Sequence, residues 1–419
     1  MVEKRVLIVS PPDSYRIDPY IQAAKALGLE VHLASHGEWA MTSPDARGID
    51  IPYENPGKAI DVLREYAADK CFVAVIGTDD STLVLAARLA ALLKLKQNSP
   101  DAVNLARRKD LSRQRLAEAG LQIPDFEVVD AKQCEDEWEP GCGFPCVVKP
   151  LALAGRRGVI RADSVDELAI AIRRTRAIIA VEDDDFEAGH VLVEKYVSGK
   201  EYAIEAMLND GELDVLTFFD KPDPLDGPYF EETYYVMPTL LPHTVQQAIA
   251  DTVQQACRAS GLITGPVHAE CRVNGEGVWL IELAARTIGG LCSRLLTFGT
   301  GFTLEQLVLA NLAGLPLARE GTAGAAGVLM LPIKESGVLR RVEGILQAEK
   351  VEFVDEIHIT IREGNRVIAL PEGSSYLGFV FASAPDSETV EAALRKAHAL
   401  LNIVIAPYWP VEGEANVVA

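Results

Sequence analysis

The first hundred residues alternate between short apolar runs and stretches of helical periodicity. Arg5-Val6-Leu7-Ile8-Val9-Ser10 holds a continuous apolar run, the pattern of a strand buried on both faces. Ile21, Ala24 and Leu27 then recur at helical spacing behind Asp18, the expected cap, and Gly28 closes that helix. A strand at 30–34, a helix at 60–68, a strand at 72–76 and a helix at 82–95 continue the alternation. Repeated strand–helix units predict a parallel sheet with helices on its faces. Ser10-Pro11-Pro12-Asp13 stands where a dinucleotide fold needs G-x-G-x-x-G. The chain therefore lacks the signature of an NAD-dependent oxidoreductase.

Ser99-Pro100-Asp101 reads as a helix start, with Ser as cap and Pro in the first turn. A strongly charged helix is expected over 102–119, stopped by Gly120 and Pro124. From 126 to 194 short strands surround one helix at 165–175, a small α+β unit. Strands and then helices follow from 196 to 313, and 324–407 forms a further α+β segment. The tail at 411–419 reads as loosely held. The expected division is 1–101, 102–193, 194–315 and 316–419, with neither an internal repeat nor a low-complexity tract.

Composition narrows the function classes. With 419 residues, 48% hydrophobic and 24% charged, the chain can bury several ordinary cores. A formal charge of -21 argues against a nucleic-acid partner, which needs a basic footprint. A polyanionic ligand such as ATP could still bind through local cations, backbone amides or metal. No apolar stretch reaches the ~20 residues of a membrane span, and the N-terminus does not read as a signal peptide. The seven cysteines are scattered, and the one close pair, Cys142 and Cys146, has no second pair nearby to complete a zinc site. Reduced thiols and a cytoplasmic location are expected.

Three stretches carry candidate chemistry. In Val267-His268-Ala269-Glu270-Cys271-Arg272-Val273 the alternation puts His268, Glu270 and Arg272 on one strand face. Asn274-Gly275-Glu276-Gly277 turns the chain, and Val278-Trp279-Leu280-Ile281-Glu282 returns. Folding this hairpin sets Glu270 opposite Glu282 within one register step, at about 5 Å, where like charges repel. Either a hard divalent cation or an arginine, Arg272 or Arg286, satisfies that pair. Arg286 sits four residues past Glu282, ahead of the Gly289-Gly290 turn. It serves either as a structural ion pair or to neutralise charge developing during group transfer.

The second stretch ends an apolar strand on Lys149 and continues into a small, flexible, cationic loop, Gly155-Arg156-Arg157-Gly158. A lysine there must pair or snorkel, and such a loop can cover phosphates, although from the residues alone a plain hairpin connection is the favoured reading. It is not a Walker A loop. The third stretch, Val191-Leu192-Val193-Glu194-Lys195-Tyr196-Val197, ends an apolar strand on Glu194 and leads through Ser198-Gly199 to Glu201. Backbone groups in such a hinge can read an adenine edge and a carboxylate can take ribose hydroxyls, yet ordinary strand ends look similar.

In order and spacing these three signals resemble the ATP-grasp superfamily over roughly 100–313, and an α/β domain ahead of them is usual in that family. The resemblance implies an ATP-grasp fold of α/β and α+β parts. An N-terminal parallel α/β domain (1–101) would precede a mobile lid and linker (102–193), a catalytic core (194–315) and a C-terminal α+β subdomain (316–419). It implies that Lys109 and Lys149 contact nucleotide phosphates, with Gly155, Arg156 and Gly158 covering them. Glu194, Lys195, Tyr196 and Val197 would form the adenine hinge, and Glu201 would hold the ribose. Glu270 and Glu282 would bind Mg2+, with Mn2+ a substitute, and Arg286 would lie at the reacting phosphate. Many members carry Glu-x-Asn on the second metal strand, whereas this chain has Glu282-Leu283-Ala284, and Ala284 cannot ligate.

The fragments His268-Ala269-Glu270 and Glu282-Leu283-Ala284-Ala285-Arg286 are more closely similar to bacterial L-amino acid ligases. So is the loop from Asp220-Lys221-Pro222 to Gly227-Pro228-Tyr229-Phe230-Glu231-Glu232. The implied reaction joins a small-molecule carboxylate and amine through an acyl phosphate, which needs no protein nucleophile. Glu231 and Glu232 read either as a solvated acidic loop or as ammonium binders, His268 either is structural or touches substrate or phosphate, and Gly289 with Gly290 leaves room for a side-chain pocket. Rival expectations are a ligase of other carboxylates or purine-pathway precursors, and a nucleotide-binding module without turnover. A homodimer is the expectation from symmetry statistics.

Overall fold

The computed structural model describes residues 4–12, 14–37, 45–132, 138–182, 184–321 and 323–408. The tail at 411–419 lies outside them. Two compact units form, neither continuous in sequence. The first takes the chain up to Val128 together with Glu194–Asp220 and Pro238–Ala323, and the second takes Val129–Val193, Lys221–Met237 and the chain from Gly324 onward.

In the first unit a parallel sheet runs in the order Ala46–Asp50, Glu30–Ser35, Arg5–Val9, Phe72–Gly77. Val6 to Val9 have no exposed surface, as their apolar run predicts. The Ala46–Asp50 strand was not expected, because as an edge strand it buries only Ile49 and carries no apolar run. Asp18 does not cap its helix: Ile17–Ala26 has its N-cap two residues earlier, at Arg16, and Asp18 sits in the first turn, where its charge is favourable to the positive end of the helix dipole. The charged stretch is two helices, Pro100–Arg107 and Lys109–Glu118, broken at Arg108, whose ψ of 107° is extended. That break places Lys109 at a helix start. Ser99 caps the first of the pair, its Oγ accepting from the Ala102 amide at 3.1 Å.

The same unit holds four antiparallel strands in the order Gly277–Ala284, Gly265–Asn274, Lys200–Asn209, Glu212–Asp220. Val267, Ala269 and Cys271 enter a core with Ile204, Leu208, Leu280 and the His243–Ser260 helix. Their alternation sends His268, Glu270 and Arg272 to the opposite face. Asn98 ties the two sheets' loops together. Its Nδ2 donates to the Thr264 carbonyl at 2.7 Å, and its Oδ1 accepts from the Ile263 and Thr264 amides.

A sheet in the order Phe126–Asp130, His190–Lys195, Cys146–Pro150, Ile160–Ala162 belongs for the most part to the second unit, with the Val165–Ile179 helix packed on its core. That unit also contains the antiparallel run Tyr234–Met237, Ala325–Leu331, Gly378–Ala384, Val354–Ile359, backed by the Ser387–Leu400 helix. Three further strands, Arg366–Val367, Gly337–Glu343 and Asn402–Ala406, complete it.

Among the described residues no helix is long and apolar enough to cross a membrane. Cys142 and Cys146 are free thiols. Burial pushes the Cys146 and Cys257 thiols up to about 12, so both stay protonated and inert at neutral pH, whereas Cys71 is exposed. Iodoacetamide at pH 8 is therefore expected to alkylate Cys71 in the native protein and Cys146 and Cys257 only after unfolding, as read by peptide mass. Equal labelling rates at the three would contradict this packing.

Candidate active site

The hairpin of the first unit carries a dense cluster of charged groups. Asn274 fixes its turn, accepting from the Glu276 amide at 2.9 Å and the Trp279 indole at 3.3 Å. Pairing sets Glu270 directly opposite Glu282, and the register slips immediately afterwards, between Glu270 and Cys271. Glu270 is 4% exposed while the Glu282 side chain keeps 31% of its surface. Two facing carboxylates offer oxygen donors alone, with one side open, which suits a hard divalent cation better than a soft one.

Behind Glu270 lies a carboxylate–imidazole chain. His268 Nδ1 is 3.0 Å from Glu205 Oε2, and its Nε2 is 3.9 Å from Glu270 Oε1. Burial works against charge on this imidazole, but its bonds to Glu205 and Glu270 outweigh burial and push its pKa up to about 9. Glu205 has no exposed surface, and burial raises its pKa in spite of His268. Its second oxygen accepts from the Ile288 amide at 3.2 Å, tying the central strand to the segment past Arg286.

Arg286 is held mainly from the parallel-sheet side. Its Nε donates to Asp80 Oδ2 at 2.8 Å, whereas its nearest approach to Glu282 is 3.7 Å. Asp80 opens the Asp80–Leu92 helix at the end of the Phe72–Gly77 strand. Burial acts to raise the Asp80 carboxyl, but Arg286, then Lys109 and Arg16, hold it below the usual range. Lys109 thus lies within the field of the Asp80–Arg286 pair. Arg16 donates to the Thr287 hydroxyl and to the Thr287 and Ile288 carbonyls, clamping the backbone that follows Arg286. A Cβ at Gly289 would meet nothing within 4 Å. Gly290 joins Tyr15, Arg16, Ile288, Arg294 and Thr303 around a cavity of 650 Å³.

The hinge residues belong to this unit as well. Glu194 is buried and accepts from Arg113 Nε at 3.0 Å, and Arg113 also donates to the Ile281 carbonyl. Lys195 is exposed, and the Tyr196 ring faces the Arg272 guanidinium at 5.1 Å. Arg272 donates to the Val197 carbonyl at 2.7 Å and to Glu201 at 3.0 Å. Strand and hinge are therefore locked together by one buried guanidinium.

In the second unit Lys149 is buried, 8% exposed, on the Cys146–Pro150 strand. Gly155, Arg156 and Gly158 all have positive φ, at 68°, 61° and 72°. Arg156 donates to Glu232 at 3.0 Å, and so do Lys221 at 2.7 Å and the Tyr235 hydroxyl at 2.7 Å. Glu232 is thus an anchor for two cations. Glu231 is partly buried, and burial raises its pKa against the pull of Lys334.

Asp80, Glu205, Arg16 and Arg113 went unnoticed in the sequence. Only Glu205 left a local sign, a lone acid inside Ala203-Ile204-Glu205-Ala206-Met207, which must find a partner once buried.

Comparison with known proteins agrees with this fold. Residues 142–294 match the ATP-grasp domain, and residues 329–406 match L-amino acid ligase C-terminal domain 2. The fold is similar to the crystal structure of an L-amino acid ligase from Bacillus licheniformis, with a TM-score of 0.84 and 26% identity over 97% of this chain and 100% of that one. An uncharacterized protein of Sinorhizobium fredii is 24% identical over 94% of this chain and 79% of its own. A D-alanine–D-alanine ligase of Nitratidesulfovibrio vulgaris is 27% identical over 59% of this chain and 79% of its own.

Proposed function

We propose that this chain, an ATP-grasp superfamily protein with an L-amino acid ligase C-terminal domain, joins the carboxylate of one amino acid to the amine of another at the expense of ATP. A carboxylate oxygen attacks the γ-phosphorus and ADP leaves. The amine nitrogen then attacks the acyl carbon, loses a proton, and inorganic phosphate departs. The observation that carries this reading is the facing pair Glu270 and Glu282 with Arg286 beside it, steadied by Asp80.

Each remaining residue has a part in that scheme. Lys109 and Lys149 neutralise nucleotide phosphates, and Gly155, Arg156 and Gly158 cover them. Glu194, Lys195, Tyr196 and Val197 line the adenine, and Glu201 takes the ribose. Glu231 receives the substrate ammonium, while Glu232 sets the position of Arg156. His268, charged at neutral pH, keeps Glu270 in place and faces the substrate. Gly290 borders the cavity that takes the substrate side chain, and Gly289 beside it leaves that entrance free of a side chain. Magnesium, or manganese in its place, held by Glu270 and Glu282 would offset phosphate charge during transfer. Since Ala284 offers no ligand, a second ion would depend on these carboxylates, phosphate oxygens and water. Catalysis rests on positioning and electrostatics, with no nucleophile from the protein.

The test is phosphate release from Mg-ATP across a matrix of L-amino acid pairs, with products identified by mass. Release that requires two amino acids and yields a dipeptide is the expected result. Binding of ATP without release for any pair would remove the dipeptide reading.

A further inference from the structure

The loop expected to cover the phosphates does not stand alone. Within the second unit it rests on a short segment some 210 residues later in the chain, 371–376. The Gly158 amide donates to the Pro371 carbonyl at 2.8 Å, and Arg157 Nε donates to the Glu372 carbonyl at 3.1 Å. A Cβ on Gly155 would stand 3.4 Å from Ser374, so the two backbones run side by side. Tyr376 reaches the Glu232 carboxylate that also holds Arg156.

One bidentate ion pair closes the arrangement from the lid helix. Arg174, on Val165–Ile179, reaches Glu372 Oε1 at 2.8 Å and Oε2 at 3.0 Å, and donates to the Tyr229 hydroxyl at 2.6 Å. From the next position on that helix, the Thr175 hydroxyl donates to the Gly158 carbonyl at 2.9 Å. The segment is itself tightly folded: the Gly373 amide donates to the Ala369 carbonyl, and a side chain at Gly373 would strike the Ile368 carbonyl at 2.0 Å.

We infer that residues 371–376 are the seat of the Gly155–Gly158 loop, and that Arg174 and Glu372 are positioning residues for nucleotide binding although neither need touch the nucleotide. The two loop arginines carry high side-chain entropy, and Gly155, Arg156 and Gly158 have positive φ, a conformation that must be held from outside. Holding it before ATP arrives lowers the ordering cost of binding. The inference rests on the proposed role of this loop in covering phosphates.

The experiment uses the full chain and Glu372→Gln, with the charge exchange Arg174→Glu/Glu372→Arg as the second variant and thermal melts to confirm folding. Trypsin cleavage after Arg156 and Arg157 is followed by mass, with cleavage after the exposed Arg64 as the internal clock. Glu372→Gln is expected to speed loop cleavage about fivefold relative to Arg64 and to raise the KM for Mg-ATP by a similar factor at little change in kcat. The exchange is expected to restore both in part. Unchanged cleavage overturns the seat. Faster cleavage at an unchanged KM overturns the positioning role. If the wild-type protein does not bind ATP, the nucleotide reading fails, while the cleavage ratio still decides the seat.

Discussion

Glu282→Gln is expected to lower Mg-ATP-dependent phosphate release by roughly a thousandfold, about 4 kcal/mol of transition-state stabilisation, while the melting temperature moves little. The two expectations belong together. The Glu282 side chain is 31% exposed, lies 3.7 Å from Arg286 and faces Glu270 across the hairpin. Removing its charge relieves a like-charge repulsion that His268 and Arg286 offset only in part, so stability should hold or rise slightly. The carboxamide keeps the shape and one oxygen but loses the charge that a magnesium ion requires. The titration of activity with Mg2+ is the discriminating measurement. A curve displaced to higher Mg2+, with the melt unchanged, places Glu282 among the metal ligands. An unaltered curve with normal turnover would remove it. Glu270→Gln makes a poorer first test, because Glu270 is 4% exposed and helps hold the charged His268, so loss of activity and loss of packing would arrive together.

What the sequence disclosed follows the range of the interactions involved. The hairpin was legible because its information is local: alternation fixes the face, and Asn274-Gly275 fixes the turn, so the facing of Glu270 and Glu282 follows within one register step. The parallel strands at 5–9, 30–35 and 72–77 were legible for the same reason, since burial on both faces demands an apolar run. The edge strand Ala46–Asp50 escaped because an edge needs no such run. The partner of Arg286 was sought at Glu282, four residues away, and is Asp80, 206 residues away, which no spacing rule reaches. Arg113 lies in a strongly charged helical stretch where nothing local marks it for burial, yet it is buried against Glu194. Glu205 leaves one local sign, an acid inside an apolar strand, but what it holds, His268 and the Ile288 amide, is set by pairing of distant strands. The discontinuity of both units has this same origin: strands from remote stretches pair, and their register is fixed by packing rather than by neighbours in sequence.

The Asp80 contact also changes how an Arg286 variant must be interpreted. Arg286→Ala is expected to lower turnover by about 10²–10³, the scale on which a single charge stabiliser acts, with Mg-ATP affinity nearly retained. It should also destabilise the protein, by about 3 kcal/mol, because Asp80 is left without its principal cation in a largely buried position. A single substitution therefore cannot separate a structural role from a chemical one. The double variant Asp80→Asn/Arg286→Ala can, because the amide needs no counter-charge and most of the lost stability should return. If Arg286 stabilises the transition state, the double variant melts near the wild type and remains as slow as Arg286→Ala. If Arg286 serves only to pair with Asp80, turnover recovers together with the melting temperature. Asp80→Asn alone supplies the remaining corner of the cycle. It leaves the guanidinium in place but frees it to lean toward Glu282, so turnover should fall less than tenfold, and a loss as deep as that of Arg286→Ala would mean that the aim of this arginine, not its charge alone, sets the rate.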